Sequence, residues 1–311
     1  MAQDKPLVSI GMPAYNGEKH IRRALDSLLA QDYENFELII SDNASRDSTW
    51  AICEEYAARD KRIVLHQQGQ NIGLMCNFQH VLDQAQGAYF MWAACDDFWL
   101  PSFVTAMSQE LAAHPQASVC MCAVERVCED GTTHDIVCHS GSADPSRMSS
   151  LGLALALAAG RYYHLYIYGL YRTDFLRRAF LGLPAVMASD RLFVCQVALA
   201  TRFRYVGQVL HRRQVSDLPL VVRYQNEELG QIWKDNLAQW KMTLAVGPYL
   251  WRSNIIPVHR KLWIPLIVLC FGVRFLVYQK IYTLAYAISG RLLGAHGRKR
   301  LGQVVRNIWT R

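Results

Sequence analysis

Two adjacent carboxylates, Asp96-Asp97, stand at the end of the apolar run Ala88 to Ala94. Like charges a few ångströms apart repel strongly, so such a pair at the end of a buried strand is costly unless a cation neutralises it. Hard oxygen ligands of this kind suit Mg²⁺ or Mn²⁺, which bridge readily to phosphate oxygens. A solvent-exposed turn or a helix N-cap would also explain the pair, since Asp97 comes shortly before Pro101. The nine cysteines offer no comparable site. They are odd in number and scattered, with no CxxC or Cys/His pair at zinc spacing, and read as reduced, buried small hydrophobes. Cys120 and Cys122 would face the same side of a strand.

The elements that must position the acidic pair follow from periodicity. Leu7 to Met12 is a short apolar run stopped at Pro13, and Asn16-Gly17 turns the chain into a helix whose stripe is Ile21, Ala24, Leu25, Leu28 and Leu29. Phe36 to Asp42 reads as the next strand, with Ser45 able to cap the helix after it, and Arg62 to His66 as a third. Met75, Phe78, Val81, Leu82 and Ala85 mark another amphipathic helix ended by Gly87, and Ala88 to Ala94 is the fourth strand. Strands alternating with helices imply a mostly parallel sheet covered on both faces, which binds ligands beyond the carboxyl ends of its strands. The polar clusters Ala14-Tyr15-Asn16, Asp42-Asn43-Ala44-Ser45 and Asp96-Asp97 all fall at such ends. Further on, a helix after Pro101, a strand Ala117 to Val127 with a hairpin turn at Glu129-Asp130-Gly131, a helix over 145–160, an aromatic strand Tyr162 to Tyr171, a helix Ser189 to Leu199 and a strand Phe203 to Leu210 are expected.

A chain of 311 residues, 51% hydrophobic and 19% charged, can bury one large core or a core with an appendage. Its net charge of +7 is entirely C-terminal: from Asn236 onward there are twelve Lys or Arg and no Asp or Glu. The first 235 residues carry a net charge of about −5, which argues against a nucleic-acid-binding body. The N-terminal MAQDKPLVSI lacks a basic segment followed by an apolar one, so a cytoplasmic protein is expected.

The order Val8-Ser9-Ile10-Gly11-Met12-Pro13-Ala14-Tyr15-Asn16, then Phe36 to Ser45, then Asn71-Ile72-Gly73 with Asn77, then Gly87-Ala88-Tyr89 leading to Asp96-Asp97 and Trp99-Leu100-Pro101, resembles the family 2 glycosyltransferases of GT-A fold. The likeness covers about the first hundred residues. It implies a Rossmann-like, mostly parallel sheet flanked by helices, and an inverting transfer from a nucleotide sugar, a UDP-sugar by preference, assisted by Mg²⁺ or Mn²⁺. It also implies that Pro13, Ala14, Tyr15 and Glu18 line the nucleotide pocket, that Asp42 contacts the base or ribose, and that Asn71, Asn77 and Cys95 belong to the donor set. Many relatives carry Asp-x-Asp-Asp where this chain has Ala94 at the first position, which makes Asp96 the principal metal or diphosphate ligand and Asp97 the second. The family's general base sits at the start of a helix in the second half, and Asp190 in Ala188-Ser189-Asp190-Arg191 fits that slot, although an ordinary N-cap explains the same residues. Tyr168 to Arg172 resembles an acceptor-side segment. Arg212, in His211-Arg212-Arg213, follows the strand that returns to the diphosphate, where a guanidinium could neutralise the leaving group or simply be a solvated strand end.

The resulting division is a catalytic domain over 1–235, with a donor half to residue 100 and an acceptor-side half after it, and a basic, apolar helical tail over 236–311. Leu262 to Val273 is an apolar run of twelve residues, too short for the roughly 18 to 20 that span a bilayer. With Trp251, Trp263, Tyr278, Tyr282 and Trp309 it suggests helices lying on an anionic membrane surface, the cytoplasmic face of the inner membrane. A helical bundle packed on the catalytic domain or a dimer interface is the alternative, and an oligomer is compatible with the sequence. The acceptor would then be a lipid-linked or membrane-proximal glycan, with no role for nucleic acid. A nucleotidyltransferase would want a Gly-rich basic loop after the first strand, which Met12 to Gly17 does not supply. A catalytically degenerate nucleotide-sugar-binding protein that docks partners at the membrane is favoured by Ala94 alone.

Overall fold

A computed structural model describes residues 5–128, 131–137, 144–160, 164–181, 183–184, 186, 189–214 and 238–274. Its first half is a run of strand–helix units: β1 (Val8–Ala14), α1 (Ile21–Leu29), β2 (Phe36–Asp42), α2 (Thr49–Ala57), β3 (Ile63–Gln67), α3 (Leu74–Gln84) and β4 (Tyr89–Trp92). The second half holds β5 (Phe98–Trp99), α4 (Phe103–Ala113), β6 (Ala117–Val127), β7 (Thr133–Val137), α5 (Ser150–Ala158), β8 (Leu170–Arg172), α6 (Thr173–Phe180), α7 (Ser189–Ala200) and β9 (Arg202–Gln214). Then come α8 (Ala238–Arg252), α9 (Val258–Lys261) and a helical stretch over 264–274.

One sheet runs β3-β2-β1-β4-β8-β6-β9-β5, with β7 on β6. The first four strands are parallel, but β8 is antiparallel to β4 and β6, and β5 is antiparallel to β9. The mostly parallel sheet expected from the sequence therefore describes the donor half, and the sheet as a whole is mixed. β8 follows a 3₁₀ segment, His164–Tyr168, where a continuous strand Tyr162 to Tyr171 was expected; Tyr162 and Tyr163 lie outside the described residues. The Tyr171 hydroxyl donates to the Tyr166 carbonyl at 2.6 Å, which closes this segment on itself. β7 pairs antiparallel with β6, and Gly131 takes φ +82°; the expected turn residues Glu129 and Asp130 lie outside the described residues.

Alternation along the strands sorts side chains onto two layers. Leu38, Ile40, Tyr89 and Met91 face α1, α2 and α4, while Ile39, Phe90 and Trp92 face α3 and α5 to α7. Cys120 and Cys122 share the first of these faces, as their spacing implied. Close packing of α3 requires Gly11, because a Cβ there would lie 2.5 Å from Phe90 Cζ and 2.8 Å from Val81 Cγ2.

The described C-terminal helices share the core of the preceding elements. Met242, Val246 and Leu250 of α8, spaced by one helical turn, and Ile264, Ile267 and Phe271 after it are buried in the same core as α5 to α7. Residue 236 thus marks a change of composition and not a division of the core. Fully burying side chains of this size contributes about 1.5–3 kcal/mol each. Among the described residues no helix is long and apolar enough to cross a membrane. The opposite face remains apolar and open: Leu244, Trp251, Leu262 and Leu269 are 72, 59, 77 and 60% exposed.

Candidate active site

The carboxyl ends of β1 and β2 lie side by side, with Ala14 opposite Asp42 in the register. Beyond them, the two loops are laced together by their own side chains. Asn16, held at φ +48°, donates its N–H to Ser45 Oγ at 2.9 Å, and its Oδ1 accepts the Arg46 N–H at 2.9 Å. Gly17 donates to Thr49 Oγ1 at 2.7 Å, Glu18 donates its N–H to Asp47 Oδ2 at 3.2 Å, and Glu18 Oε2 accepts from the Ser48 N–H at 3.1 Å. Burial alone would raise the Asp47 carboxyl, but bonds from the Thr49 hydroxyl and the Thr49 and Glu18 amides hold it below the ordinary range. Glu18, exposed at the edge of the crevice, thus ties the start of α2 to the first loop. Ser45 is not the cap of α2: its hydroxyl donates to Asp42 Oδ1 and its N–H to Asp42 Oδ2, and the first residue of the helix bonds Asp47 instead.

Asp42 is fully buried at the end of β2, beside Ala14, while Pro13 and Tyr15 are partly exposed. The next residue, Asn43, accepts the Ile72 N–H and donates to Asn71 Oδ1, both at 2.9 Å. Asn71 Oδ1 also accepts the Gly73 N–H at 2.8 Å, and Gly73 takes φ +87° to open α3. Asn77 lies one turn inside, 2% exposed, and commits its amide to Ser41: Oδ1 accepts the hydroxyl at 2.6 Å and Nδ2 donates to the carbonyl at 2.9 Å. It fixes α3 to β2 from behind the crevice, whereas Asn71 stands at the rim.

The acidic pair divides into two different environments. β4 stops at Trp92, and the chain turns through Ala94 to Asp97 before β5. Asp97 is 1% exposed: its Oδ2 is 3.0 Å from His211 Nε2, and its Oδ1 accepts the Gln214 N–H at 3.1 Å. His211 in turn stacks on Trp99, ring centroids 5.2 Å apart and planes 3° from parallel. Asp96 is partly exposed, and its carbonyl accepts from Arg23 at 3.1 Å. The same guanidinium donates to Gln214 Oε1 at 2.7 Å and lies over the Phe98 ring. Cys95 lies against the Asn16-Gly17 turn. Burial, and then the neighbouring Asp96 and Asp97, push its thiol up to about 12, so it stays protonated and is no nucleophile at neutral pH.

Asp190 sits in the first turn of α7, where its Oδ1 accepts the Arg191 N–H at 2.7 Å. Ser189 Oγ is 3.8 Å from Met75 Sδ, so the start of α7 abuts the first turn of α3, just after Asn71 and Gly73. Arg212 pairs with Glu125 at 2.6 Å, opposite Phe98. Arg172 donates to the carbonyls of Ala117 and Leu111 at 2.9 and 2.7 Å and serves the framework. Residues 215–237, which follow β9, lie outside the described set. His211, Gln214, Arg23 and Asn43 were not singled out as site residues from sequence. Asn43, inside the strand-end cluster, and His211, inside His211-Arg212-Arg213, carried a local signal.

Among the described residues no three His, Cys, Asp or Glu side chains are grouped to hold a metal ion by themselves. Asp97 is committed to His211 and Gln214, and Asp96 is the partly exposed member of the pair. This donor set fits a Mg²⁺ or Mn²⁺ whose other ligands come from a bound diphosphate and water.

Residues 9–163 match the family described as Glycosyl transferase family 2. An uncharacterized protein of Mycobacterium tuberculosis, Rv1520, is 40% identical over 129 residues, which cover 40% of this chain and 37% of that protein. The chain therefore spans little more than a third of the length of such curated relatives. Among solved structures, S. aureus TarS 1-349 in complex with UDP-GlcNAc superposes with TM-score 0.63 at 17% identity, covering 94% of this chain and 79% of that 1-349 chain. A mannosyltransferase of Pyrobaculum calidifontis, PcManGT, in complex with GDP-Man and Mn²⁺, superposes with TM-score 0.52 at 15% identity, covering 98 and 87%.

Proposed function

Since the chain belongs to glycosyltransferase family 2 through residues 9–163, we propose that it is an inverting glycosyltransferase that moves a sugar from a nucleotide diphosphate, a UDP-sugar by preference, to a hydroxyl of a lipid-linked or membrane-proximal glycan. The observation that carries this reading is the meeting of three polar strand ends at one edge of the sheet: Ala14-Tyr15, Asp42-Asn43 and Asp96, bordered by the start of α7. Pro13, Ala14 and Tyr15 with Asp42 and Asn71 receive the nucleoside. Asp96 would hold a divalent ion, whose chemistry would be charge neutralisation of the diphosphate. Asp97 orients Asp96 through the short backbone turn that both occupy. Asp190 takes the proton of the acceptor hydroxyl as its oxygen attacks the anomeric carbon on the side opposite the diphosphate.

The basic, apolar C-terminal helices associate with the cytoplasmic face of the inner membrane. Support comes from the exposed Trp251, Trp263 and Leu269 on the face away from the core, and from the absence of any acidic residue after Asn236. A second reading, a nucleotide-sugar-binding protein without transfer activity, is favoured by Ala94 in place of a carboxylate.

One experiment separates the two. The purified chain is screened by thermal shift with UDP- and GDP-sugars plus Mn²⁺ or Mg²⁺, and the binders are then assayed for nucleoside diphosphate release with membrane extracts as acceptor. Stabilisation together with release supports the enzyme. Stabilisation with no release under any acceptor supports the binding protein, and no stabilisation by any nucleotide sugar overturns both.

A further inference from the structure

The exposed side of the C-terminal helices carries an open groove that neither the donor crevice nor the sheet uses. One part, of about 570 Å³, is apolar and is lined by Gly247, Pro248, Trp251, Ile264 and Val268, with Arg252 at its edge. Pro248 and Arg252 also line a polar part of about 440 Å³ that contains Arg178, Gln196 and Ser253. α8 is shaped for this. Gly247 leaves its floor open, with Val268 Cγ2 3.6 Å from where a Cβ would sit, and Pro248 within the helix has no N–H to give to the preceding turn.

The polar part is basic and rigid. Arg178 donates only to the Asp174 carbonyl of its own helix, at 3.3 Å, and among the described residues no acidic side chain pairs with Arg178 or Arg252. Its wall is held by Gln196, which donates to Ser253 Oγ at 2.8 Å and accepts from the Tyr249 hydroxyl. An occupant must therefore carry an apolar chain at one end and an anion at the other. Leu181 and Pro184, also in the wall, belong to the segment that leads into α7, and Gln196 lies about 9 Å along that helix from Asp190.

We propose that this groove binds one long-chain lipid phosphate, the chain against Trp251, Ile264 and Val268 and the phosphate between Arg178 and Arg252. Guanidinium forks match phosphate oxygens, and a pocket of this size and apolar character suits a chain. The site rests on the membrane-proximal acceptor proposed above for its biological meaning, but binding to it requires no transfer.

The test is calorimetric titration of the full chain with decyl phosphate below its micellar concentration, with decanol and inorganic phosphate as separate arms. Expected is one site for decyl phosphate, about tenfold tighter than for decanol, and no heat from inorganic phosphate. Arg252→Gln should remove that advantage while leaving decanol binding unchanged. Gly247→Leu, which fills the apolar floor, should abolish both, with the thermal midpoint of each variant reporting that it is folded. Equal affinity for decyl phosphate and decanol, or no effect of Arg252→Gln, overturns the proposal. So does the absence of heat with every probe, the result expected if residues 275–311 or a second copy of the chain fill the groove. A UDP-sugar thermal shift on the same preparation keeps the two readings apart, since loss of lipid binding with donor binding intact sinks only this one.

Discussion

At the donor edge, the loops after β1 and β2 are held by reciprocal polar bonds, Asn16 with Ser45 and Arg46, Glu18 with Asp47 and Ser48, and Asp42 with Ser45. The C-terminal layer buries Met242, Val246, Leu250, Ile264, Ile267 and Phe271 in the core, alongside polar bonds of Gln196 with Ser253 and Tyr249 and of Arg260 with Ser150 and the Leu199 carbonyl. The polar edge is directional and positions ligand-binding atoms, at the cost of bonds that must all be satisfied together. The apolar layer is non-directional and contributes stability without fixing any reacting atom. Substitutions in the two regions should accordingly separate activity from stability.

The sharpest separation is expected at the junction of α7 with the donor edge. Asp190→Asn should lower nucleoside diphosphate release by about 10²–10⁴-fold, the range associated with loss of a general base, while UDP-sugar binding by thermal shift is retained. Retained release would remove Asp190 from the reaction. In the apolar layer, Phe271→Ala deletes a fully buried ring and should cost about 3–5 kcal/mol in denaturant unfolding. Release per folded molecule should stay unchanged. A Phe271→Ala protein with full stability and impaired catalysis would reverse the contrast between the regions.

The legibility of the chain follows the same contrast. Phe36 to Asp42 and Ala117 to Val127 were readable to the residue, because their composition and flanking breakers are local properties. The helix from Ser189 was readable at its start for the same reason. The Tyr162 to Tyr171 strand was misread, since its aromatic residues suit a strand while the Tyr171–Tyr166 bond closes a 3₁₀ turn. Ser45 was taken for a helix cap because the competing partner, Asp42, stands on the strand before it. The fate of Asp97 could not be read at all. Its partners His211 and Gln214 lie 114 and 117 positions away, and only the antiparallel register of β5 with β9 brings them together. The burial of Met242, Val246 and Leu250 was hidden in the same way, since a stripe at helical spacing does not say whether a lipid surface or a protein core covers it.

The unequal carboxylates of the acidic pair offer a finer division within the donor edge. Asp97→Asn replaces a buried acceptor of two hydrogen bonds and should cost about 1–3 kcal/mol of stability. Asp96→Asn, at a partly exposed position, should change stability by less than about 0.5 kcal/mol. Its effect should appear instead in the Mn²⁺ dependence of UDP-sugar binding. If both substitutions destabilise equally, the assignment of Asp97 to the framework and Asp96 to the ligand is wrong.

The smallest expected effect concerns proton binding at the far side of the donor half. His66 on β3 and His80 on α3 meet edge to face, ring centroids 5.0 Å apart, and the Nε2 of each is buried without a partner. Burial first, and the neighbouring His80 second, hold the His66 imidazole below its ordinary value. The unfolded chain then binds more protons than the folded one in the window between that depressed value and about 6.5. Stability contributed by neutral His66 is present above about pH 6.5 and is lost as pH falls through the depressed value. The thermal midpoint should therefore decline as pH falls below about 6.5, and His66→Phe should flatten that decline. A midpoint that falls equally in the wild type and in His66→Phe would show that the acid sensitivity does not come from the histidine pair.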